Sequence, residues 1–306
     1  VQEHGIRLVG SPVVLAGGEK VKADNLQSAL KIVSEMLSAK IGRNDVVLAI
    51  GGGTILDIAG YAAAQVRGGV KLVRMPTTPA AMMDAAYAEY AAVDSATVKD
   101  ALRVPSVPAA VVIDTSFAAS VLDGVWRGGI GEAVRLAAAF DSALCRKLQK
   151  LAPAYRDRDG TALREIVEAA LAVRAKKGPT DLALWSALRL EAMSGYKLPH
   201  GYAVAIGLCI DLGYSVEKGL LKAADRDSLV GVLKACGALD GIAHSIHLLG
   251  QTDSLLLGLD AWALSTGSCA IPVATGGGKS SAAPEPDRNA FGETLKKVAL
   301  DATALG

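Results

Sequence analysis

The sequence predicts an α/β N-terminal domain built on a parallel sheet, followed by an all-α C-terminal domain. Three observations carry that prediction. Short apolar runs alternate with helical periodicity through the first half of the chain, and a Gly-Gly-Gly turn sits between one such run and a helix. Beyond about residue 125 strand signals vanish and long alanine- and leucine-rich helical patterns take over. This shift in composition places a boundary near residue 120, giving domains 1–120 and 121–306.

In chain order, residues 12–16 read as a first strand and 24–41 as a helix. The apolar run 46–50 reads as a buried strand, 54–66 as the helix after it, and 70–75 and 109–113 as two more strands. Helical patterns then cover 130–150, 161–176, 182–194, 202–218 and 225–236. The strand–turn–helix at 46–66 is the most informative stretch. Gly51, Gly52 and Gly53 let the backbone approach a ligand closely and aim amide groups from a helix N-terminus, where the dipole favours an anion such as pyrophosphate. The strand 70–75 runs into Pro76-Thr77-Thr78, two hydroxyls at a strand end beside that turn. The ordinary dinucleotide fingerprint does not fit, because its third glycine falls on Leu56.

Composition excludes several classes. A net charge of +1 and 4% aromatic residues argue against a nucleic-acid surface or an anionic membrane as partner. The apolar run near Ile210 is far short of the roughly 20 residues of a membrane span, and no signal-peptide pattern opens the sequence. Cys145, Cys209, Cys236 and Cys269 stand singly, as reduced core residues of a cytoplasmic protein would. Gly276-Gly277-Gly278-Lys279-Ser280 imitates a phosphate loop, but Val273 stands where its first glycine belongs, so it reads as a mobile loop whose Lys279 could close over the cleft. His244 and His247, with apolar neighbours and no carboxylate motif, read as structural.

The order strand, Gly51-Gly52-Gly53-x-x-x-Asp57, helix, strand, Pro76-Thr77-Thr78 resembles the dehydroquinate synthase-like group. That group holds the sugar-phosphate cyclases (dehydroquinate synthase, 2-epi-5-epi-valiolone synthase and relatives), with glycerol and iron-dependent alcohol dehydrogenases as more distant kin. The resemblance implies a nucleotide-binding α/β domain, a helical domain completing an interdomain cleft, bound NAD, a divalent metal and a homodimer. It also implies the chemistry: NAD oxidises a hydroxyl, phosphate leaves by elimination, the ketone is reduced again, and the product closes by an aldol step. On this pattern Gly51, Gly52, Gly53, Asp57, Thr77 and Thr78 fall on cofactor-binding positions. Asp84 matches a cleft aspartate and Lys99 a phosphate-binding lysine. Glu132, in Gly-Ile-Gly-Glu-Ala-Val-Arg, matches a metal-binding glutamate, Arg135 stands in place of that motif's lysine, and His200 matches a second metal ligand.

The departures are as informative. Two histidines one turn apart are expected on the helix that here reads Leu184 to Glu191, yet both positions, 184 and 188, are leucine. Glu132 and His200 then offer two protein ligands where a catalytic zinc takes three, so zinc or another divalent metal is not expected to bind tightly. Tyr90 replaces a cleft lysine, Asp100 an asparagine and Gly68 an arginine, although Arg67 is adjacent. Glu89 and Asp100 place negative charge in what should be an anion cradle. The resemblance also implies a further strand–helix unit before the segment matching Val1 and a longer loop around 177–180. The expectation is a diverged cyclase-type protein of specialised biosynthesis, using NAD on a polyol or sugar-derived small molecule, with Asp84, Lys99, Glu132, Arg135 and His200 as the catalytic set. An active sugar-phosphate cyclase with an altered metal site is one alternative. The same fold reused for metal-independent chemistry, or as a non-catalytic partner, is another, and a polyol dehydrogenase ranks last.

Overall fold

A computed structural model of the chain describes residues 5–95, 98–240 and 242–303, save the side chains of residues 243, 244, 302 and 303. In chain order the elements are α1 (Gln27–Ser38), β1 (Val46–Gly51), α2 (Gly53–Gln65), β2 (Lys71–Pro76), α3 (Pro79–Met83), β3 (Tyr90–Ser95), β4 (Val98–Pro105) and β5 (Ala110–Val111). There follow α4 (Asp123–Gly128), α5 (Ile130–Phe140), α6 (Ser142–Arg156), α7 (Gly160–Lys177), α8 (Leu184–Met193), α9 (His200–Glu217) and α10 (Ala223–Ala235). Last come α11 (Ile246–Leu249), α12 (Thr252–Thr266), β6 (Ile271–Ala274), β7 (Ser280–Ala283) and α13 (Arg288–Thr303). The chain divides into two compact units, one of residues 1–77 and 85–114, the other of 78–84 and 115–306.

The first unit holds a three-stranded parallel sheet of order β1-β2-β5, with Val46 opposite Lys71 and Gly51 opposite Pro76. Strand β2 alternates strictly, burying Leu72, Arg74 and Pro76 on one face. Helix α2 covers the sheet with Leu56, Ile58, Ala59, Ala62 and Ala63, and its small residues allow close approach. The expected strand at 12–16 does not form. A strand needs a neighbour to satisfy its backbone groups, and none pairs with these residues among those described. The run 109–113 yields only the two-residue β5. An unexpected antiparallel hairpin, β3–β4, packs β3 against α2 by burying Ala91, Ala92, Val93 and Asp94.

The second unit is a helical bundle around α5 and α9. Every residue of α5 from Ile130 to Ala139 is buried, as is the run Ala203–Leu208 of α9. The single helix expected over 130–150 is broken at Asp141, whose extended backbone and side chain cap α6 through the amides of Ala143 and Leu144. Asp159 caps α7 in the same way. Trp126 stacks on Tyr155 at 5.4 Å, and each bonds the other's backbone carbonyl, Trp126 Nε1 at 2.7 Å and the Tyr155 hydroxyl in return. Phe291 of α13 stacks on Tyr214 at 3.8 Å and meets Trp185 edge-on. Burying such rings fully contributes about 1.5–3 kcal/mol each.

Strand structure does return after residue 125, as the hairpin β6–β7. Gly276, Gly277 and Gly278, all at positive φ, make its turn, and a Cβ on Gly276 would sit 3.1 Å from Asp225 Oδ2. A strand rather than a helix follows Lys279, so the segment lacks the architecture of a phosphate loop. Cys145 and Cys236 are buried as expected, but Cys269 is exposed. His247 is exposed on the short α11, and the side chain of His244 lies outside the described residues. Among the described residues no helix is long and apolar enough to cross a membrane.

Candidate functional site

The residues singled out from sequence fall into two groups, one in each unit. In the helical unit the group forms where α5, α8 and α9 meet. Gly128 faces the first turn of α9 so closely that a Cβ there would lie 2.8 Å from the Gly201 carbonyl carbon. Gly131 likewise leaves only 3.0 Å for Val204 Cγ1. These glycines bring the first residue of α9, His200, against Glu132. His200 Nδ1 lies 2.6 Å from Glu191 Oε1 of α8, and its Nε2 lies 3.4 Å from Glu132 Oε1. Arg135, one turn along α5, binds Glu132 Oε2 at 2.6 Å and donates its other Nη to the Thr180 carbonyl.

The electrostatics follow from that packing. Burial opposes the charge on Glu132, but Arg135 and His200 outweigh it and hold its carboxyl down to about 2. Burial also opposes protonation of His200, yet the flanking Glu191 and Glu132 raise its pKa well above the ordinary value. The imidazole is therefore a cation between two carboxylates near neutral pH. It is also the accessible member of the trio, 31% exposed against 4% for Glu132 and 0% for Glu191.

Asp84 caps the C-terminal end of α3 and pairs with Arg174 of α7 at 2.6 Å. Arg174 had no signal in the sequence beyond membership of a basic last turn with Lys176 and Lys177. Thr78 uses its hydroxyl to accept from the Ala81 amide at 3.3 Å, with Pro79 opening α3, so it is a helix cap in this structure.

In the α/β unit, Gly52 is the extended residue before α2, with no side-chain cap and no acidic residue in the first turn. A Cβ on Gly51 would lie 2.6 Å from Ile55 Cβ, and one on Gly53 would lie 3.3 Å from Ala85 Cβ. Thr77 donates its amide to Gly51 O at 2.9 Å, tying the end of β2 to the turn. Asp57, one turn into α2, is bound by Lys22 Nζ at 2.8 Å, and the same ammonium binds Asp100 at 2.7 Å. Lys99 Nζ binds Glu19 at 2.5 Å and lies 3.6 Å from Asp94, while Thr54 donates to Glu19 at 2.9 Å. Lys99 and Asp57 thus share a buried network with Lys22, Glu19, Asp94 and Asp100. Four carboxylates there face two lysines, with Arg103 3.9 Å from Asp100 as a third cation. Glu19, Lys22 and Asp94 were not among the expected site residues, since their spacing in sequence carries no motif.

The uncapped amides at the start of α2 suit a pyrophosphate, so the turn fits a dinucleotide. The metal donor set is thinner. Glu132 Oε1 is buried without a hydrogen-bond partner and converges on His200 Nε2, giving two donors. The α8 face that carries Glu191 continues through Leu188 and Leu184, at i−3 and i−7, and neither has a lone pair to offer. Among the described residues no group of three or more His, Cys, Asp or Glu side chains is placed to hold a metal ion.

Comparison with known proteins matches residues 12–126 to the 3-dehydroquinate synthase N-terminal family and residues 129–246 to the 3-dehydroquinate synthase C-terminal family. The 3-dehydroquinate synthase of Pyrobaculum neutrophilum is 30% identical over 267 residues, 83% of this chain and 77% of its own. That of Pyrobaculum islandicum is 31% identical with the same coverage. Among solved structures, 2-epi-5-epi-valiolone synthase from Streptomyces hygroscopicus subsp. jinggangensis 5008, with NAD+ and Zn2+ bound, superposes with a TM-score of 0.83 at 21% identity, over 94% of this chain and 82% of that one. A 2-deoxy-scyllo-inosose synthase complexed with carbaglucose-6-phosphate, NAD+ and Co2+ gives 0.79 at 18% identity, over 92% and 82%.

Proposed function

We propose that this chain, which belongs to the 3-dehydroquinate synthase family, is a diverged cyclase-type protein of specialised biosynthesis that uses NAD on a polyol or sugar-derived substrate and holds divalent metal weakly. The observation that carries the reading is the Glu132–His200–Glu191 contact beside a helix face of leucines: the acid–base pair is kept and a third metal donor is missing. Bound NAD supplies a hydride acceptor for a substrate hydroxyl. Gly51, Gly52 and Gly53 with the first amides of α2 would hold its pyrophosphate, and Thr77 braces that turn through Gly51 O.

His200 is the proton carrier. Glu191 fixes the ring through Nδ1, which leaves the protonated Nε2 to give its proton to a substrate oxygen in place of its contact with Glu132, and to recover it in a later step. Arg135 is buried and acts by holding Glu132 and the 180 loop, not by touching substrate. Asp84 and Arg174 form a partly exposed ion pair that can exchange partners with a polar substrate. In the α/β unit Lys99 is engaged by Glu19 and Asp94, so a phosphate would compete with carboxylates already in place. That favours a less anionic substrate than a sugar phosphate.

A second reading, an active NAD-dependent sugar-phosphate cyclase (a carbon–oxygen lyase) with an altered metal site, is favoured by the convergence of the buried Glu132 Oε1 on His200 Nε2 at 3.4 Å. Cytoplasmic location and a homodimer belong to the proposal too, supported by the family resemblance. The test is calorimetric titration of the protein with NAD, where micromolar binding is expected. Absence of binding at millimolar NAD sinks the cofactor role, and with it hydride-linked chemistry.

A further inference from the structure

We infer that Arg74 is a positioning residue for the glycine-rich turn, acting through the segment Ala85–Ala88, which its guanidinium holds against the first residue of α2. The inference rests on the reading of that turn as the cofactor site. Arg74 is wholly buried in β2, and among the described residues no carboxylate accepts a hydrogen bond from it. Its two Nη groups donate instead to main-chain oxygens and one hydroxyl, while Nε is buried without a hydrogen-bond partner among the described residues. Nη1 reaches Ala88 O at 2.6 Å, Ala85 O at 3.3 Å and Ala86 O at 3.5 Å, while Nη2 reaches Ser106 O at 2.9 Å and Ser106 Oγ at 3.4 Å.

A buried guanidinium is a costly way to hold a loop unless the loop's position matters, because desolvating the charge offsets much of what the bonds contribute. What the loop does is visible at its first residue. Ala85 packs on Gly53 so closely that a Cβ on Gly53 would meet the Ala85 methyl at 3.3 Å. Gly53 is the first residue of α2, whose uncapped amides form the anion cradle. Two braces therefore converge on the turn: the Thr77 amide on Gly51 O at the end of β2, and the Arg74-held segment on Gly53. The room for the guanidinium comes from Gly60 in the middle of α2, where a Cβ would lie 3.3 Å from Nη2 and 2.8 Å from Ser106 Oγ. A planar fork is needed to serve acceptors on both sides, and a lysine ammonium cannot span them.

The experiment compares NAD affinity, well below the unfolding midpoint, in wild type, Arg74→Lys and Gly60→Ala. The second variant keeps Arg74 and crowds its Nη2 at 3.3 Å together with Ser106 Oγ at 2.8 Å and Ala91 Cβ at 3.0 Å, and gains helix propensity that offsets part of the strain. Hydrogen exchange of the Ala85–Ala88 amides reports the loop directly. Both folded variants should show faster exchange in that segment and an NAD Kd raised about tenfold, the equivalent of about 1.4 kcal/mol. A wild-type Kd retained by both variants overturns the positioning role and leaves the proposed function standing. Failure of wild type to bind NAD overturns both.

Discussion

Asp100→Asn is the sharpest probe of why the α/β unit holds so much negative charge. Asp100 sits at φ 51°, the left-handed region that asparagine tolerates, so the substitution keeps the backbone and the shape. Its carboxylate lies 2.7 Å from Lys22 Nζ, with side chains only 17% and 6% exposed. Burial works against that carboxylate, but Lys22 and Lys99 outweigh it and hold its pKa far below the usual range. Removing the charge leaves three carboxylates (Glu19, Asp57, Asp94) against Lys22, Lys99 and Arg103, and frees Lys22 of one of its two partners. At an effective dielectric of about 20 the Lys22–Asp100 attraction is about 6 kcal/mol before desolvation is subtracted. After that subtraction, roughly 1–3 kcal/mol should pass to an incoming anion, a gain of about 5- to 150-fold in affinity. Isothermal titration with inorganic phosphate and with glucose 6-phosphate at low salt reads this directly, and the gain should shrink as salt is added. Equal affinities in wild type and variant, or tight phosphate binding by wild type, would refute the idea that Asp100 turns the cluster away from phosphate.

Three further outcomes are expected. Placing histidines at the α8 leucines (Leu184→His with Leu188→His) should raise zinc affinity at least about tenfold by calorimetry, since each adds a donor to the face that carries Glu191; no gain would show that the face does not point at the Glu132–His200 pair. His200→Ala should lower turnover on whatever substrate is accepted by about a hundredfold or more, and unchanged turnover removes it as proton carrier. Asp211, wholly buried in α9, accepts from the Ala183 amide at 2.7 Å and from Trp185 Nε1 at 2.9 Å, and burial nevertheless pushes its carboxyl up to about 7. From the ordinary range near 4 up to that value the folded state binds more protons than the unfolded one, so stability should fall as pH rises through the window, by at most about 4 kcal/mol, and then level off. Urea midpoints from pH 5 to 8 for wild type and Asp211→Asn check this: the variant should remove the Asp211 part of the slope, and identical slopes would contradict it.

How much of this was legible before any coordinates can be seen element by element. Local pattern determined β1, the glycine turn, α2 and β2, and the helices α7 to α10, because periodicity and glycine placement are properties of neighbours in the chain, but it ran α5 and α6 together across the cap at Asp141. The family resemblance picked out Glu132, Arg135 and His200, which the structure brings together, and Lys99 and Asp57, which it places in one ion network. What escaped were the features that need a partner from elsewhere. Residues 12–16 look like a strand but pair with none among the described residues, whereas β3 and β4 lack a clean alternation and become strands by pairing with each other. Arg174, Lys22 and Glu19 join the candidate groups only because packing sets them beside Asp84, Asp57 and Lys99. Arg74 reads as a mere charge in a strand, and only the tertiary structure shows it buried on five main-chain and hydroxyl oxygens. Charge pairing and burial depend on distance through space, and a linear sequence holds that information only once the backbone has closed on itself.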